Sequence, residues 1–192
     1  MASVATPEAI EIDGATLVRT RAAHAAAIVD VLLASLEHLR PWMPWATEAN
    51  STMAAQHERL VNTELGWANG TDYDFLIVAP AHATVTPESI AGGISLMTRQ
   101  GPGVLEIGYW LAHTHIGRGL ATNAARALTD LALMMAGIER CEIHCDAGNG
   151  RSSAIPQRLG YHLDHVGDRE PVTAGDTGRE MVWTKPAQGS GA

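Results

Sequence analysis

Hydrophobic positions recur at helical or alternating spacing along most of the chain, and the period changes at identifiable breaks. Residues 16–21 read as a first strand. Ile28, Val31, Leu32, Leu36 and Leu39 then share one stripe of a helix over 22–40, which Pro41 stops. A second helix is predicted over about 52–69, with Leu60, Val61, Leu65 and Trp67 as apolar members and Gly70 at its end. Three strands follow at 74–79, 89–99 and 104–112, separated by residues 80–87 and by the turn Gln100-Gly101-Pro102-Gly103. Their short connections suggest an antiparallel meander. Helical spacing is plainest over 119–137, through Leu120, Ala124, Ala127, Leu128, Leu131 and Met135, with Gly137 closing it. A strand at 139–146, a short helix at 151–159 and strands at 160–166 and 180–185 complete the order β-α-α-β-β-β-α-β-α-β-β. That order predicts a single α/β (α+β) domain: a mixed, mostly antiparallel twisted sheet of about seven strands with helices on both faces.

The ends read as unpacked, so residues 1–15 are taken as an N-terminal extension, 16–186 as the domain and 187–192 as a flexible tail. A chain of 192 residues, 46% hydrophobic and 18% charged, has the balance of one globular core. Its apolar runs fall short of the roughly 18 to 20 residues of a membrane-spanning helix. The start lacks the basic and apolar segments of a leader, so a cytoplasmic location without a membrane partner is expected. Cys141 and Cys145, four apart on one strand, are separated by about 13 Å, beyond disulfide reach. They read as small core-side residues in a reducing compartment. The net charge is −8, and Lys185 is the one lysine, which argues against a nucleic-acid surface. An acidic surface would instead help to attract cationic amines. The histidine pairs His113/His115 and His162/His165 match no common zinc spacing and lack a third ligand, so no metal is expected.

The start of the helix at 119 departs from the usual pattern. A helix N-terminus leaves about four N–H groups unpaired and carries partial positive charge, normally answered by a Ser, Thr, Asp or Asn cap and early carboxylates. Here residues 118–123 contain no carboxylate and begin with Arg118, between Gly117 and Gly119. The turn therefore reads either as an anion site left open for phosphate or as a bare strand-to-helix turn. The P-loop is a poor fit, because Leu120 and Ala121 stand where Lys and Ser/Thr belong. The dinucleotide fingerprint fails too, with Thr122 in place of its third small residue and a strand meander upstream.

The segments Glu106-Ile-Gly-Tyr-Trp-Leu111, His115-Ile-Gly-Arg-Gly-Leu-Ala121, Asn149-Gly-Arg-Ser152 and Arg158-Leu-Gly-Tyr161 occur in order on the expected elements. Together they resemble the GNAT superfamily of N-acetyltransferases and, within it, the ribosomal-protein N-terminal acetyltransferases of the RimJ/RimL-like branch, over about residues 16–185. The resemblance implies acetyl-CoA as donor and an amine as acceptor. Ile116, Gly117, Arg118, Gly119, Leu120 and Ala121 would then bind the pyrophosphate through backbone N–H groups. Trp110 and Leu111 would lie on the strand that holds the pantetheine and polarises the thioester carbonyl. Asn149 would bind the pantetheine arm, with a turn residue as its other reading. Thr114 departs from the superfamily pattern, which has Gln or Arg three residues before the first glycine. The branch also implies a homodimer.

An amine attacks a thioester only when neutral, so a base, an oxyanion stabiliser and a source of protons for the thiolate are needed. Glu106 shares a strand face with Gly108 and Trp110 and is the first candidate base, its pKa raised if it is partly buried. The same carboxylate could instead pair with an arginine. Glu170, in the loop after a late strand, is a second candidate by resemblance, against a solvated acidic loop. The tyrosine that many superfamily members carry seven residues after the asparagine is replaced by Pro156, and the branch offers Ser152 in its place. A thiolate with a pKa near 8.5 leaves with modest help. Ser152 or Ser153 could alternatively cap a helix, one starting there to accommodate Pro156. Trp42 and Trp45, stiffened by Pro41 and Pro44, would rim the acceptor mouth or simply cover the core. The expected reaction is direct transfer of acetyl from acetyl-CoA to a primary amine in a ternary complex. The acceptor is a protein N-terminus or a small-molecule amine such as an antibiotic, and a larger acyl group such as succinyl is chemically open. The rivals are an acyl-CoA sensor without turnover and an ordinary nucleotide-binding domain.

Overall fold

A computed structural model describes residues 6–79 and 85–187. It consists of β1 (Ala9–Ile12), β2 (Ala15–Arg19), α1 (Ala25–Leu39), α2 (Met53–Asn69), β3 (Asp72–Val78), β4 (Ile90–Met97), β5 (Val104–Leu111), α3 (Leu120–Leu133), β6 (Arg140–Asp146), α4 (Gly150–Arg158), β7 (His162–Asp168) and β8 (Arg179–Pro186). The strands form one sheet of eight in the order β1-β2-β3-β4-β5-β6-β8-β7, antiparallel except where β5 meets β6. The extra strand is β1, which lies in the stretch expected to be an unpacked extension. Its Ala-Ile-Glu-Ile alternation pairs Ala9 to Ile12 with Val18 to Ala15 across a tight turn at Gly14 (φ +82°), and Ile10 and Ile12 pack on the core. Residues 188–192 of the expected tail lie outside the described residues.

Alternation along the strands divides the core between two faces. Phe75, Ile77, Leu105, Ile107, Cys141, Ile143 and Trp183 pack against Leu120, Ala124, Leu128 and Leu131 of α3. Leu76, Val78 and Ile90 pack against Ile28, Leu32, Leu36 and Leu39 of α1 on the other face. The segment Ala22–Leu39 has a mean hydropathy of 1.4, long and apolar enough by those measures to cross a membrane, which corrects the expectation that no run reaches that length. Its alanines raise the hydropathy along the whole helix, while the residues that bury, from Ala25 to Leu39, keep a core-facing stripe.

The position of the site follows from β5 and β6. These parallel strands are in register only over Val104 to Glu106 and Arg140 to Glu142, although β5 runs on to Leu111 and β6 to Asp146. Beyond Glu106 they diverge, leaving a wedge-shaped slot in the middle of the sheet. α3 and α4 follow β5 and β6 on one face, and the α1–α2 and β7–β8 loops meet over the other.

Candidate active site

The α3 end of the slot is built from backbone alone. Gly117 and Gly119 have φ of +75° and +78°, and a Cβ at either would meet nothing within 4 Å. Gly119 occupies the cap position without a side-chain hydrogen bond, and the first turn contains no acidic residue. Asn123 N–H, which donates to Gly119 C=O at 3.0 Å, is the first amide of α3 to be paired. Arg118 folds back to donate to Thr114 C=O at 3.0 Å, which keeps its charge near the turn while leaving the amides accessible. Ile116 is 36% exposed, while Leu120 and Ala121 are buried and root the turn in the core. This is a concave set of N–H donors at the positive end of a helix dipole, so it fits the pyrophosphate of a CoA donor.

The slot supplies the next set of groups. Ala112 N–H donates to Ala91 C=O, and hydrogen-bonded pairs alternate along an antiparallel ladder. The N–H and C=O of Gly108 and Trp110 therefore turn to β4, and those of Tyr109 and Leu111 turn into the slot. Leu111 thus offers backbone groups to a pantetheine arm, whereas Trp110 contributes its side chain to the opposite, acceptor-facing side. Its indole lies against Gly93 and meets Trp45 edge-on at 6.1 Å. A Cβ on Gly93 would come within 2.6 Å of Trp110 Nε1, so the glycine makes room for the ring. Gly93→Val is expected to displace the indole, seen as a change in near-ultraviolet circular dichroism and intrinsic fluorescence, with roughly 1–3 kcal/mol lost in stability from overpacking.

Across the slot, Asn149 caps α4, its Oδ1 accepting from Ser152 N–H at 3.1 Å. The helix starts at Gly150, before Ser152, so the cap is the asparagine and neither serine, and Pro156 sits inside the helix. Pro156 cannot donate to Ser152 C=O, and Tyr109 answers that loss: its hydroxyl donates to the carbonyl at 3.1 Å and lies 3.1 Å from Ser152 Oγ. Burial pushes the Tyr109 hydroxyl well above its ordinary pKa despite the Ser152 hydrogen bond, so it stays protonated. Tyr109 was not singled out from the sequence, although it stands inside the segment Glu106 to Leu111. The missing signal is spatial, because its partner lies on α4. Cys145 lines the same region, and burial pushes its thiol up to about 11.

On the α1 side of the sheet the slot opens into a cavity of about 530 Å³. Its walls include Trp42, Met43, Pro44 and Trp45 from the α1–α2 loop, Ile28 and Leu32 of α1, and Val172 and Thr173 of the β7–β8 loop. The two loops are tied at Pro41 C=O, which accepts from Thr173 Oγ1 at 2.6 Å and from Gly175 N–H at 3.1 Å. Five carboxylates (Asp74, Glu106, Asp146, Asp176, Glu180) and three guanidinium groups (Arg59, Arg99, Arg169) line it, leaving an excess of negative charge.

Glu106 lies in this cavity but not in the state expected of a base. Its buried carboxylate accepts from Arg99 Nε at 2.7 Å, from Arg99 Nη2, and from Gln100 Nε2 at 2.5 Å. Burial alone would raise its pKa, but the hydrogen bonds from Arg99 and Gln100, with the charges of Arg99 and His144, outweigh it and hold the carboxyl below the ordinary value. The arginine pairing, not a raised pKa, is what the structure shows. Glu170 is exposed and outside the cavity. Its neighbour Arg169 turns inward to Asp176 at 2.7 Å, and alternation along this extended segment sends Glu170 outward. Asp146 is equally committed, accepting from Gly148 N–H, Thr177 N–H and Thr177 Oγ1 at 2.7 to 3.0 Å. Among the described residues no group of His, Cys, Asp and Glu has the arrangement of a metal site.

Comparison with known proteins places this geometry. Residues 15–162 match the acetyltransferase (GNAT) domain family. The Bacillus subtilis (strain 168) protein named "Putative ribosomal N-acetyltransferase YdaF" is 39% identical over 56 residues, 29% of this chain and 31% of that protein, so the match spans under a third of the relative. The microcin C7 self-immunity acetyltransferase MccE, solved with acetyl-CoA and AMP, superposes with a TM-score of 0.81 at 22% identity, covering 95% of this chain and 98% of that one. The ribosomal-protein-S5-alanine acetyltransferase of Vibrio fischeri gives 0.82 at 18% identity over 96% and 99%. RimJ of Mycobacterium smegmatis, solved with a CoA-disulfide, gives 0.78 at 20% over 93% and 86%. Because the family match takes in most of the domain, including the open start of α3 and both splayed strands, the chain belongs to the acetyltransferase (GNAT) family.

Proposed function

We propose that this acetyltransferase acylates the primary amine at the end of a peptide chain, which enters through the mouth bounded by Trp42 and Trp45. The observation that carries this reading is the net-negative, aromatic-rimmed cavity on the face of the slot opposite the α3 turn. A cationic chain end is drawn to such a cavity, and its first side chains find apolar walls in Ile28, Leu32 and Trp110. Acetyl-CoA, when bound, supplies an acyl group activated as a thioester. The chain's own part is to cradle phosphate at residues 116–121, to direct the Leu111 N–H into the slot, and to hold the Tyr109 and Ser152 hydroxyls where a departing thiolate needs a proton. Direct attack is supported by Cys145, whose buried thiol is held protonated and so is a poor covalent relay. A homodimer rests on the branch resemblance alone, and cytoplasmic placement on the sequence expectation alone.

A panel of short peptides with different N-terminal residues, alongside aminoacylated nucleosides and polyamines, tests the acceptor by release of free thiol from acetyl-CoA and succinyl-CoA. Turnover of free-N-terminus peptides, abolished by prior N-acetylation, is the expected result. Turnover confined to small amines would replace the peptide reading with the small-molecule one, for which the aromatic rim is suited to stacking a ring. CoA binding without turnover on any amine would leave a sensor.

A further inference from the structure

We propose that His144 and Glu180 form the acceptor-amine site, Glu180 receiving the ammonium and His144 Nδ1 taking the proton it must lose. The inference rests on the amine-acyltransfer reading above and assigns the base within it. His144 is the second residue of β6 beyond the last registered pair, Glu106 with Glu142, and faces the acceptor cavity from the β6 bank of the slot. Gly108, the corresponding residue of β5, has no side chain of its own, and the Met97 methyl lies over it, 2.9 Å from where a Cβ would stand, so this bank is apolar and offers no competing polar group. An amine held at His144 is therefore beside the slot in which the thioester must lie.

The imidazole is oriented by its own strand. Nε2 lies 2.8 Å from Glu142 Oε2, and Glu142 Oε1 accepts from Arg140 Nε at 2.7 Å. A carboxylate held by an arginine only accepts hydrogen bonds, so Nε2 carries the hydrogen and Nδ1 carries the lone pair. That Nδ1 is 3.9 Å from Glu180 Oε2, too far for a direct hydrogen bond. The gap is the spacing at which one ammonium nitrogen can hydrogen-bond to both atoms at about 2.8 Å. Among the described residues, Glu180 is also the cavity carboxylate with no hydrogen bond of its own. Its nearest cation, Arg169 Nε, is 3.7 Å away, whereas Asp74 is held by Ser95 and Arg59, and Glu106, Asp146 and Asp176 each accept at least two hydrogen bonds. The other charges around the imidazole are Arg140, Glu142 and Asp146 on its own strand, Glu106 and Arg99 from β5 and the turn before it, and Arg169 and Asp176 from the β7–β8 loop.

The protons balance. One leaves the ammonium for Nδ1 and passes to solvent, and the nitrogen lone pair then forms the C–N bond as the C–S bond breaks. The sulfur keeps the bonding pair, and the second amine proton reaches it through the Ser152 and Tyr109 hydroxyls.

His144→Gln, Glu180→Gln and wild type are compared with acetyl-CoA and a hexapeptide bearing a free N-terminal serine. His144→Gln is expected to lose about tenfold in kcat/KM at pH 7, where roughly a tenth of an α-amine is already neutral, and to regain wild-type rates by pH 9. CoA affinity in calorimetry should be unchanged. Glu180→Gln should raise KM for the peptide more than it lowers kcat. An undiminished rate at pH 7, or a loss as large at pH 9, would overturn the assignment of the base while leaving acyl transfer standing. A second readout does not need turnover: in protein with labelled histidine, the signal absent from His144→Gln should move when the hexapeptide is added to the CoA-loaded protein. It should stay still in Glu180→Gln, and a signal that is unmoved in wild type refutes the site. Absence of turnover in wild type with a moving signal would count against the function and for this site.

Discussion

Gly119→Asp should weaken CoA binding about a thousandfold in calorimetry, the result of setting a unit charge about 4 Å from a pyrophosphate at an effective dielectric near 20, worth about 4 kcal/mol. The fold should survive the change. A Cβ at position 119 meets nothing within 4 Å, and the cost is the left-handed backbone (φ +78°), about 1–2 kcal/mol and less for Asp than for most residues. Gly119→Ala isolates that backbone cost and should retain affinity within about tenfold. The loss in the aspartate variant should shrink with added salt, because exposed charges are screened. Equal affinity of wild type and Gly119→Asp would move the pyrophosphate away from the α3 turn.

The second large effect is on stability. Glu106→Gln should cost about 2 kcal/mol in denaturant unfolding, below the usual penalty for breaking a buried pair because the Arg99 side chain is 60% exposed and can turn to water. The pH dependence has a definite sign. The folded carboxyl lies below its ordinary value near 4.5, so its contribution is full above that pH and is lost as the pH falls through the lowered folded value. The difference between wild type and variant should therefore be constant from pH 6 to 9 and close only below about 4.5. Turnover at saturating peptide should fall by the same factor at pH 7 and pH 9. A loss that disappears at high pH would restore Glu106 as the base.

Most of the scaffold was legible because it depends on local periodicity. The stripe from Leu120 to Leu131 and the alternation of Leu105, Ile107 and Tyr109 belong to single elements, and each element is where its pattern puts it. β1 was missed because four residues of alternation carry little signal until Val18 to Ala15 supply a partner. The α3 turn was readable in sequence because its feature is compositional: two glycines and no carboxylate. The acceptor cavity was not, since its character is decided by pairings between elements. Nothing at Glu106 reveals that the turn at Arg99 and Gln100 folds back onto it, and nothing at Glu170 reveals that Arg169 takes the inward position. His144 was invisible for the opposite reason. It sits in an ordinary alternating strand, and its place beside the slot exists only because β5 and β6 part company two residues earlier.

The carbonyl of Pro41 bears on any attempt to redesign this enzyme for a new acceptor. The two loops that frame the mouth share that single atom, with Thr173 and Gly175 both anchored to it. A Cβ on Gly175 would fall 2.5 Å from the same oxygen, so the fit leaves no slack. Grafting a foreign α1–α2 loop to replace Trp42 and Trp45 would therefore strand two donors on the opposite rim, and recombination between relatives will succeed more often when both loops come from the same parent.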